Sequence, residues 1–258
     1  MAFPKHALLI GQAGAVRLAP RTGVRHSDVM SEQPNNAPWT LHWLNARGAV
    51  TPYIAAVDAA VADVRRRAAP VVTLPSLDLV VSAVPGRGIR ETGHVGHSFY
   101  PGAIFLTLDP DNPRLADNLG ESLARMIAHE LNHALRWETV GYGATLGEAL
   151  VSEGLAGQFV AQLFASPPEP WEQALEGTEL GTVVRAAQEE LHAPRYDHNA
   201  WFFGAGRHPR WAGYRLGYAL VGEWLAAKPD RTASGAISVP ASEILSGLDI
   251  LSGDDQPD

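Results

Sequence analysis

The feature that most constrains this chain is the segment His129-Glu130-Leu131-Asn132-His133, which lies inside an apolar stretch with helical periodicity. Successive residues of an α-helix are about 100° apart around its axis, so two histidines at this spacing lie on the same face. Both imidazoles can then reach one metal ion from one side, an arrangement typical of zinc hydrolases. The sequence therefore predicts a helix over this segment with a metal site on one face.

The apolar residues around the motif predict how the helix packs. They recur at helical spacing and lie opposite the histidine pair on a helical wheel: Leu123, Ile127, Leu131, Ala134 and Leu135. The preceding segment Asn118–Glu121 has the residue pattern of a capping box, which predicts that the helix begins there. One face is then expected to pack on a core, and the other to face a cleft.

The motif also suggests a general base and requires a third ligand. Glu130 points to the side of the histidine pair, so it can take a proton from a zinc-bound water without being a ligand. Two downstream glutamates are candidates for the third ligand. Thr145–Glu148 has a capping-box pattern, which gives Glu148 a structural role. Glu153 falls on the apolar face of the next helix, where we expect a metal ligand or, alternatively, a buried ion pair with an arginine.

The residues after the motif exclude one class of zinc protease. A metzincin would need glycine and histidine at fixed positions after His133, where this chain has Arg136 and Thr139. A glutamate after the second histidine, at the start of Glu153–Ala156, is similar to the gluzincin arrangement. The sequence therefore favours a gluzincin-type site.

Four segments resemble, in the same order, a known family. They are residues 102–110, 128–133, 153–156 and 213–218. Together they resemble the YjaZ-like family of predicted zinc-dependent proteases, over most of the chain from near residue 50 onward. The resemblance implies a compact gluzincin-like fold, with zinc held by His129, His133 and Glu153 and with Glu130 as the base.

The remaining periodicity predicts an α+β fold. Helices are expected near residues 53–69, 180–192 and 211–227 besides the two site helices, and strands near 77–84 and 103–108. By analogy with zincin-like metallopeptidases, we expect a small mixed sheet packed on the active-site helix and a mainly helical C-terminal part. Residues 1–258 would form a single domain, with sub-lobes near 50–140 and 144–250 and an N-terminal extension over residues 1–50.

Two segments near the motif leave alternatives open. The strand at residues 103–108 can be a sheet edge that pairs with an extended peptide, or an ordinary core strand. The segment Gly93–His97 contains two histidines, His94 and His97, that can bind a second metal, but its glycines favour a flexible polar loop.

Candidates for stabilising the transition-state oxyanion lie nearer the C-terminus. Tyr214 and Tyr218 lie one helical turn apart, so they share a face, and either phenol can donate a hydrogen bond. Tyr214 is the preferred candidate, and His198 is a third. Simple packing in the core is the alternative for both tyrosines.

Net charge and cysteine content limit the possible partners. At a formal net charge of -8, the chain lacks the basic stripe that nucleic acid or an anionic membrane would require. Without cysteine, thiolate zinc sites and thiol catalysis are excluded. Glycines interrupt the short apolar stretch at residues 7–16, so we expect no signal peptide and a cytoplasmic location.

The sequence as a whole predicts a zinc metallopeptidase, most simply an endopeptidase that acts on peptides or proteins. One alternative is a non-catalytic zinc-binding protein, chaperone-like or regulatory, on the same scaffold. The other is a zinc hydrolase of a non-peptide amide, which a pocket closed on both sides of the metal would favour.

Overall fold

A mixed sheet and a set of helices make up residues 37–193 and 195–252, which the computed structural model describes. The strands are β1 (Trp39–Trp43), β2 (Leu77–Ala83), β3 (His94–His97) and β4 (Ala103–Leu108), in the spatial order β1-β2-β4-β3. β1, β2 and β4 pair in parallel, whereas β3 pairs antiparallel with β4. The α+β class with a small mixed sheet is confirmed.

In the described residues, five helices lie close to their predicted positions, and three short ones were not predicted. They are α1 (Ile54–Ala68), α2 (Glu121–Trp137), α3 (Leu146–Phe164), α4 (Gly177–Glu190), α5 (His198–Phe203), α6 (Ala212–Ala226), α7 (Ala241–Ile244) and α8 (Ser246–Ser252). Short 3₁₀ turns cover Thr51–Tyr53, Ala116–Asn118 and Pro170–Gln173. Among the described residues, no helix combines the length and the apolar character needed to cross a membrane.

The inner face of the sheet packs on α1 and α2. Alternating residues of the two central strands are fully or almost fully buried there: Leu79, Val81, Ile104, Leu106 and Leu108. The apolar face predicted for α2 joins the same core through Leu123, Ile127 and Leu131. The opposite face of α2, which carries the histidines, faces α3.

Helix α3 connects this core to a second one formed with α4, α5, α6 and α8. The backbones of α3 and α6 touch at two glycines, since a Cβ atom on Gly154 would lie 2.0 Å from the carbonyl oxygen of Gly217. Glycine is required at such a close approach because any side chain would separate the helices. The start of α3 has the predicted capping box between Thr145 and Glu148.

Two predictions about the region before α3 are wrong. α2 begins at Glu121 with Gly120 as its N-cap and no side-chain cap, because Asn118 is the last residue of the preceding 3₁₀ turn, where its amide donates to the carbonyl oxygen of Arg114 at 2.7 Å. The segment His94–His97 is strand β3, at one edge of the sheet, rather than a flexible loop. Its pairing with β4 satisfies the backbone, which outweighs the flexibility of its glycines. Of the two alternatives for residues 103–108 the core strand is confirmed, since β4 lies between β2 and β3.

The N-terminal part of the predicted organisation lies mostly outside the described residues. Residues 1–36, including the apolar stretch at residues 7–16, are not part of them. Residues 37–50 contribute β1 and the loop that follows it. The division into two sub-lobes stays a prediction.

Candidate metal centre

Three side chains meet where α2 and α3 pack together. The Nε2 atoms of His129 and His133 lie 3.1 Å apart. The Oε2 atom of Glu153 lies 3.1 Å from the Nε2 atom of His129 and 3.5 Å from that of His133. The fold therefore brings together the three residues predicted as ligands, and all their candidate ligand atoms fall within 4.8 Å of one another.

The spacing of these three atoms fits a tetrahedral zinc site. Ligands at about 2.0–2.2 Å from zinc lie about 3.3–3.6 Å apart along the edges of a tetrahedron. The observed separations run from 3.1 to 3.5 Å. The two imidazoles also direct a nitrogen atom at the same point, which is the geometry required for binding one cation.

Burial and the carboxylate of Glu153 set the charge state of this cluster. Burial by itself would raise the pKa of Glu153, but the charges and hydrogen bonds of His133 and His129 hold it well below its usual range. Burial likewise opposes a charged His129, yet the hydrogen bond and charge of Glu153, together with the charges of Glu130 and Glu172, outweigh it and raise the pKa of His129 to about 9. A bound metal ion must displace this proton.

A tyrosine that the sequence did not single out holds the carboxylate in place. The hydroxyl of Tyr142 donates to Oε1 of Glu153 at 2.6 Å, which leaves Oε2 directed at the histidines. Tyr142 lies between Gly141 and Gly143, whose φ angles of 75° and 99° favour glycine. The Gly-Tyr-Gly pattern between the two site helices is the signal that could have identified it.

Glu130 lies outside this group of three and faces the sheet edge. A Cβ atom on Gly96 would lie 2.5 Å from Cγ of Glu130, so β3 passes directly against this side chain. The strand also contacts α2 on either side of that point. Nε2 of His94 lies 3.2 Å from Oγ of Ser122, and Nε1 of Trp137 donates to the carbonyl oxygen of Ser98 at 2.8 Å. β3 therefore runs alongside α2, next to the candidate base.

The histidines of β3 do not form a second metal site. His94 is buried and His97 is exposed, because residues three apart in a strand point to opposite faces. Burial lowers the pKa of His94 to about 4, so its imidazole is neutral. Within residues 37–193 and 195–252, His129, His133 and Glu153 form the one group of three potential ligands that was found.

Different charges act on the two tyrosines of α6. Burial raises the pKa of Tyr214 well above its usual value, and the charges of Glu153 and Glu130 add to this. Burial also raises the pKa of Tyr218, and there the charge of Glu172 adds to it. The remaining candidate, His198, lies 3.0 Å through Nδ1 from the hydroxyl of Tyr196, and burial lowers its pKa. The choice of Tyr214 among these three stays a prediction.

Comparison with known proteins gives one family and two relatives. The family model described as Predicted Zn-dependent protease (DUF2268) matches residues 58–246. The uncharacterized protein YjfC of Bacillus subtilis (strain 168) is 25% identical over 185 residues, which cover 66% of this chain and 60% of YjfC. The uncharacterized protein YjaZ of the same organism is 30% identical over 142 residues, which cover 49% of this chain and 51% of YjaZ. The chain thus spans between half and two thirds of either relative, and no solved structure matches it significantly.

Proposed function

The chain belongs to the family described as Predicted Zn-dependent protease (DUF2268), and from this membership we propose that it is a gluzincin-type zinc peptidase with a zincin-like fold. The observation that carries the proposal is the triangle of His129, His133 and Glu153. Its sides of 3.1, 3.1 and 3.5 Å match the edges of a tetrahedral zinc site. Two neutral imidazoles and one carboxylate leave a fourth position for water or substrate.

The remaining residues have distinct roles in peptide hydrolysis. Zinc at this site would lower the pKa of water and polarise the scissile carbonyl. Glu130 takes the proton from the attacking water and delivers it to the leaving amine, which is possible because its carboxylate is not among the ligands. Tyr214 keeps its proton, since its pKa is raised well above 10.0, and it donates a hydrogen bond to the developing oxyanion.

The outer edge of β3 near Gly96 supports a peptide as the substrate, whereas at His94 the carbonyl oxygen already accepts the N–H of Ile89 and the hydroxyl of Thr92. An edge strand has unpaired N–H and C=O groups with which an extended peptide can pair. Gly96, at the middle of β3, contacts Glu130, so a peptide paired with this edge passes next to the candidate base. An open strand edge is suited to a chain that continues on both sides of the scissile bond, and we therefore propose an endopeptidase.

The decisive experiment combines zinc content with cleavage of a peptide library. Glu130→Gln should keep its zinc and lower the rate of hydrolysis about 10²- to 10⁴-fold, because the base is removed. Glu153→Ala should lose zinc without unfolding. Glu138→Gln is the matched control, since Glu138 is exposed just after α2 and should retain full activity.

Each result has a definite meaning. Wild-type protein that binds no zinc would refute the proposed metal site. Wild-type protein that binds zinc but cleaves no peptide would refute the peptidase and favour a non-catalytic zinc-binding protein. Cleavage by Glu130→Gln at the wild-type rate would refute the role of the base.

A further inference from the structure

A buried carboxylate outside the metal centre lacks a cationic partner. Glu172, in the 3₁₀ turn after α3, is 5% exposed, and its Oε2 atom accepts the backbone N–H of Glu169 at 2.6 Å. The ion pairs among residues 37–193 and 195–252 include none to Glu172, whereas Glu169 pairs with Nε of Arg125 at 2.9 Å. Burial raises the pKa of Glu172 to about 7, because a buried carboxylate without an ion pair is costly, so its ionised form would be stabilised by a cation.

The carboxylate of Glu172 lies over a glycine one helical turn from the metal centre. A Cβ atom on Gly157 would lie 2.2 Å from Oε1 of Glu172 and 2.9 Å from Cδ2 of Tyr218. The carboxylate and the aromatic ring therefore both pack directly against the backbone of Gly157. Gly157 follows Glu153 by one turn of α3, a rise of about 6 Å along the helix. The charge of Glu172 is also among the influences that raise the pKa of His129, which agrees with this proximity.

We propose that Gly157, Glu172 and Tyr218 form a subsite for a cationic side chain of the substrate, lysine or arginine, within two residues of the scissile bond. The inference rests on the proposed peptidase function and gives it a substrate preference. The carboxylate supplies the opposite charge, and the ring of Tyr218 supplies a cation–π surface. The rise of about 6 Å along α3 from Glu153 to Gly157 corresponds to the length of about two residues of an extended peptide.

The binding test uses the zinc-loaded Glu130→Gln protein, which holds a peptide without cleaving it. Two blocked alanine pentapeptides are compared by calorimetry at 0.15 M salt, one with a central lysine and one with norleucine, which has a similar length without the charge. Because all the other residues of the peptide are alanine, the peptide can bind in whichever register places its central side chain in the subsite. We expect the lysine peptide to bind about 10- to 100-fold more tightly, as for a hydrogen bond to a charged group.

Glu172→Gln in the same background should abolish this difference. Glutamine retains an oxygen that can accept the N–H of Glu169, so the turn is preserved. Glu189→Gln removes the same charge from an exposed position and should leave the preference for the lysine peptide intact. This variant controls for long-range attraction between the acidic protein and the positively charged peptide. Tyr218→Leu should reduce the preference about three- to tenfold without removing a charge. Equal binding of both peptides, or a preference that survives Glu172→Gln in a folded protein, would overturn the subsite.

Peptide hydrolysis and the subsite can fail separately. A wild-type protein that prefers the lysine peptide but cleaves nothing would retain the subsite and refute the peptidase. A wild-type protein that cleaves a library without any preference for lysine or arginine would retain the peptidase and refute the subsite. Cleavage of lysine-containing peptides that falls in Glu172→Gln, with cleavage of norleucine peptides unchanged, would support both.

Discussion

Tyr142→Phe isolates a single contact of the candidate metal centre. The change removes only the hydroxyl that donates to Oε1 of Glu153 at 2.6 Å and keeps the ring, whose centroid lies 5.5 Å from that of His133. Glu153 is 8% exposed, so water cannot readily replace the lost donor. The carboxylate then loses the contact that directs its other oxygen at the histidines.

The expected size of the effect follows from two independent magnitudes. A hydrogen bond to a charged group contributes about 1.5–3 kcal/mol, which corresponds to about 10- to 150-fold in an equilibrium constant. Removal of a group that orients a metal ligand typically weakens metal binding about 10- to 100-fold. We therefore expect the zinc Kd of Tyr142→Phe to increase about 10- to 100-fold.

Competition with a chromophoric zinc chelator measures this Kd in wild type, in Tyr142→Phe and in a control, Tyr100→Phe. Tyr100 is 50% exposed and contacts Phe105, away from the metal centre. Circular dichroism verifies that each protein is folded. A Kd for Tyr142→Phe within twofold of wild type would refute the reasoning. The reasoning would also be refuted if Tyr142→Phe weakened zinc binding equally in a Glu153→Gln background. The hydroxyl of Tyr142 would then not act through the carboxylate of Glu153.

Three further changes test other parts of the structure. Gly96→Ala should displace Glu130, because the new Cβ would lie 2.5 Å from the Cγ atom of Glu130. The rate of peptide hydrolysis should fall up to about 100-fold while the zinc content stays unchanged. A wild-type rate would contradict the placement of Glu130 against β3. Burial lowers the pKa of His94 to about 4, whereas the unfolded value is about 6.5. Between these two pH values the unfolded state therefore binds more protons than the folded state. The free energy of unfolding should then fall by up to about 1.4 kcal/mol for each pH unit of acidification. In urea titrations, the free energy of unfolding of His94→Gln should depend less steeply on pH. Thr145→Ala removes the cap that Thr145 forms with Glu148. The free energy of unfolding in the same titrations should fall by about 1 kcal/mol. An unchanged value would mean that the cap is not stabilising.

The features that were predictable from the sequence depend on local periodicity. The histidine pair and Glu130 need only a regular helix, and α2 supplies it from Glu121 to Trp137. Glu153 was identifiable because a carboxylate on an apolar helical face must have a partner. The capping box at Thr145 is also a local pattern, and it forms as expected.

The features that escaped prediction depend on contacts between distant segments. β3 has four residues and includes Gly96, so its own sequence hardly favours a strand; pairing with β4 creates it. Tyr142 and Glu172 acquire their roles only after α2, α3 and α6 have packed. Asn118 does not cap α2 because it belongs to the 3₁₀ turn Ala116–Asn118, and Gly120 is the N-cap instead.

The contact between Gly154 and Gly217 has a consequence for the rigidity of the packing between α3 and α6. Gly154 directly follows Glu153, and Gly217 directly precedes Tyr218, so one backbone contact sets the distance between the helix of the metal centre and the helix of the tyrosines. This distance is defined by two main chains, which have no rotamers to change. The separation of α3 and α6 at this point is therefore a fixed dimension of the fold, and the side chains around it can be substituted without moving the two helices.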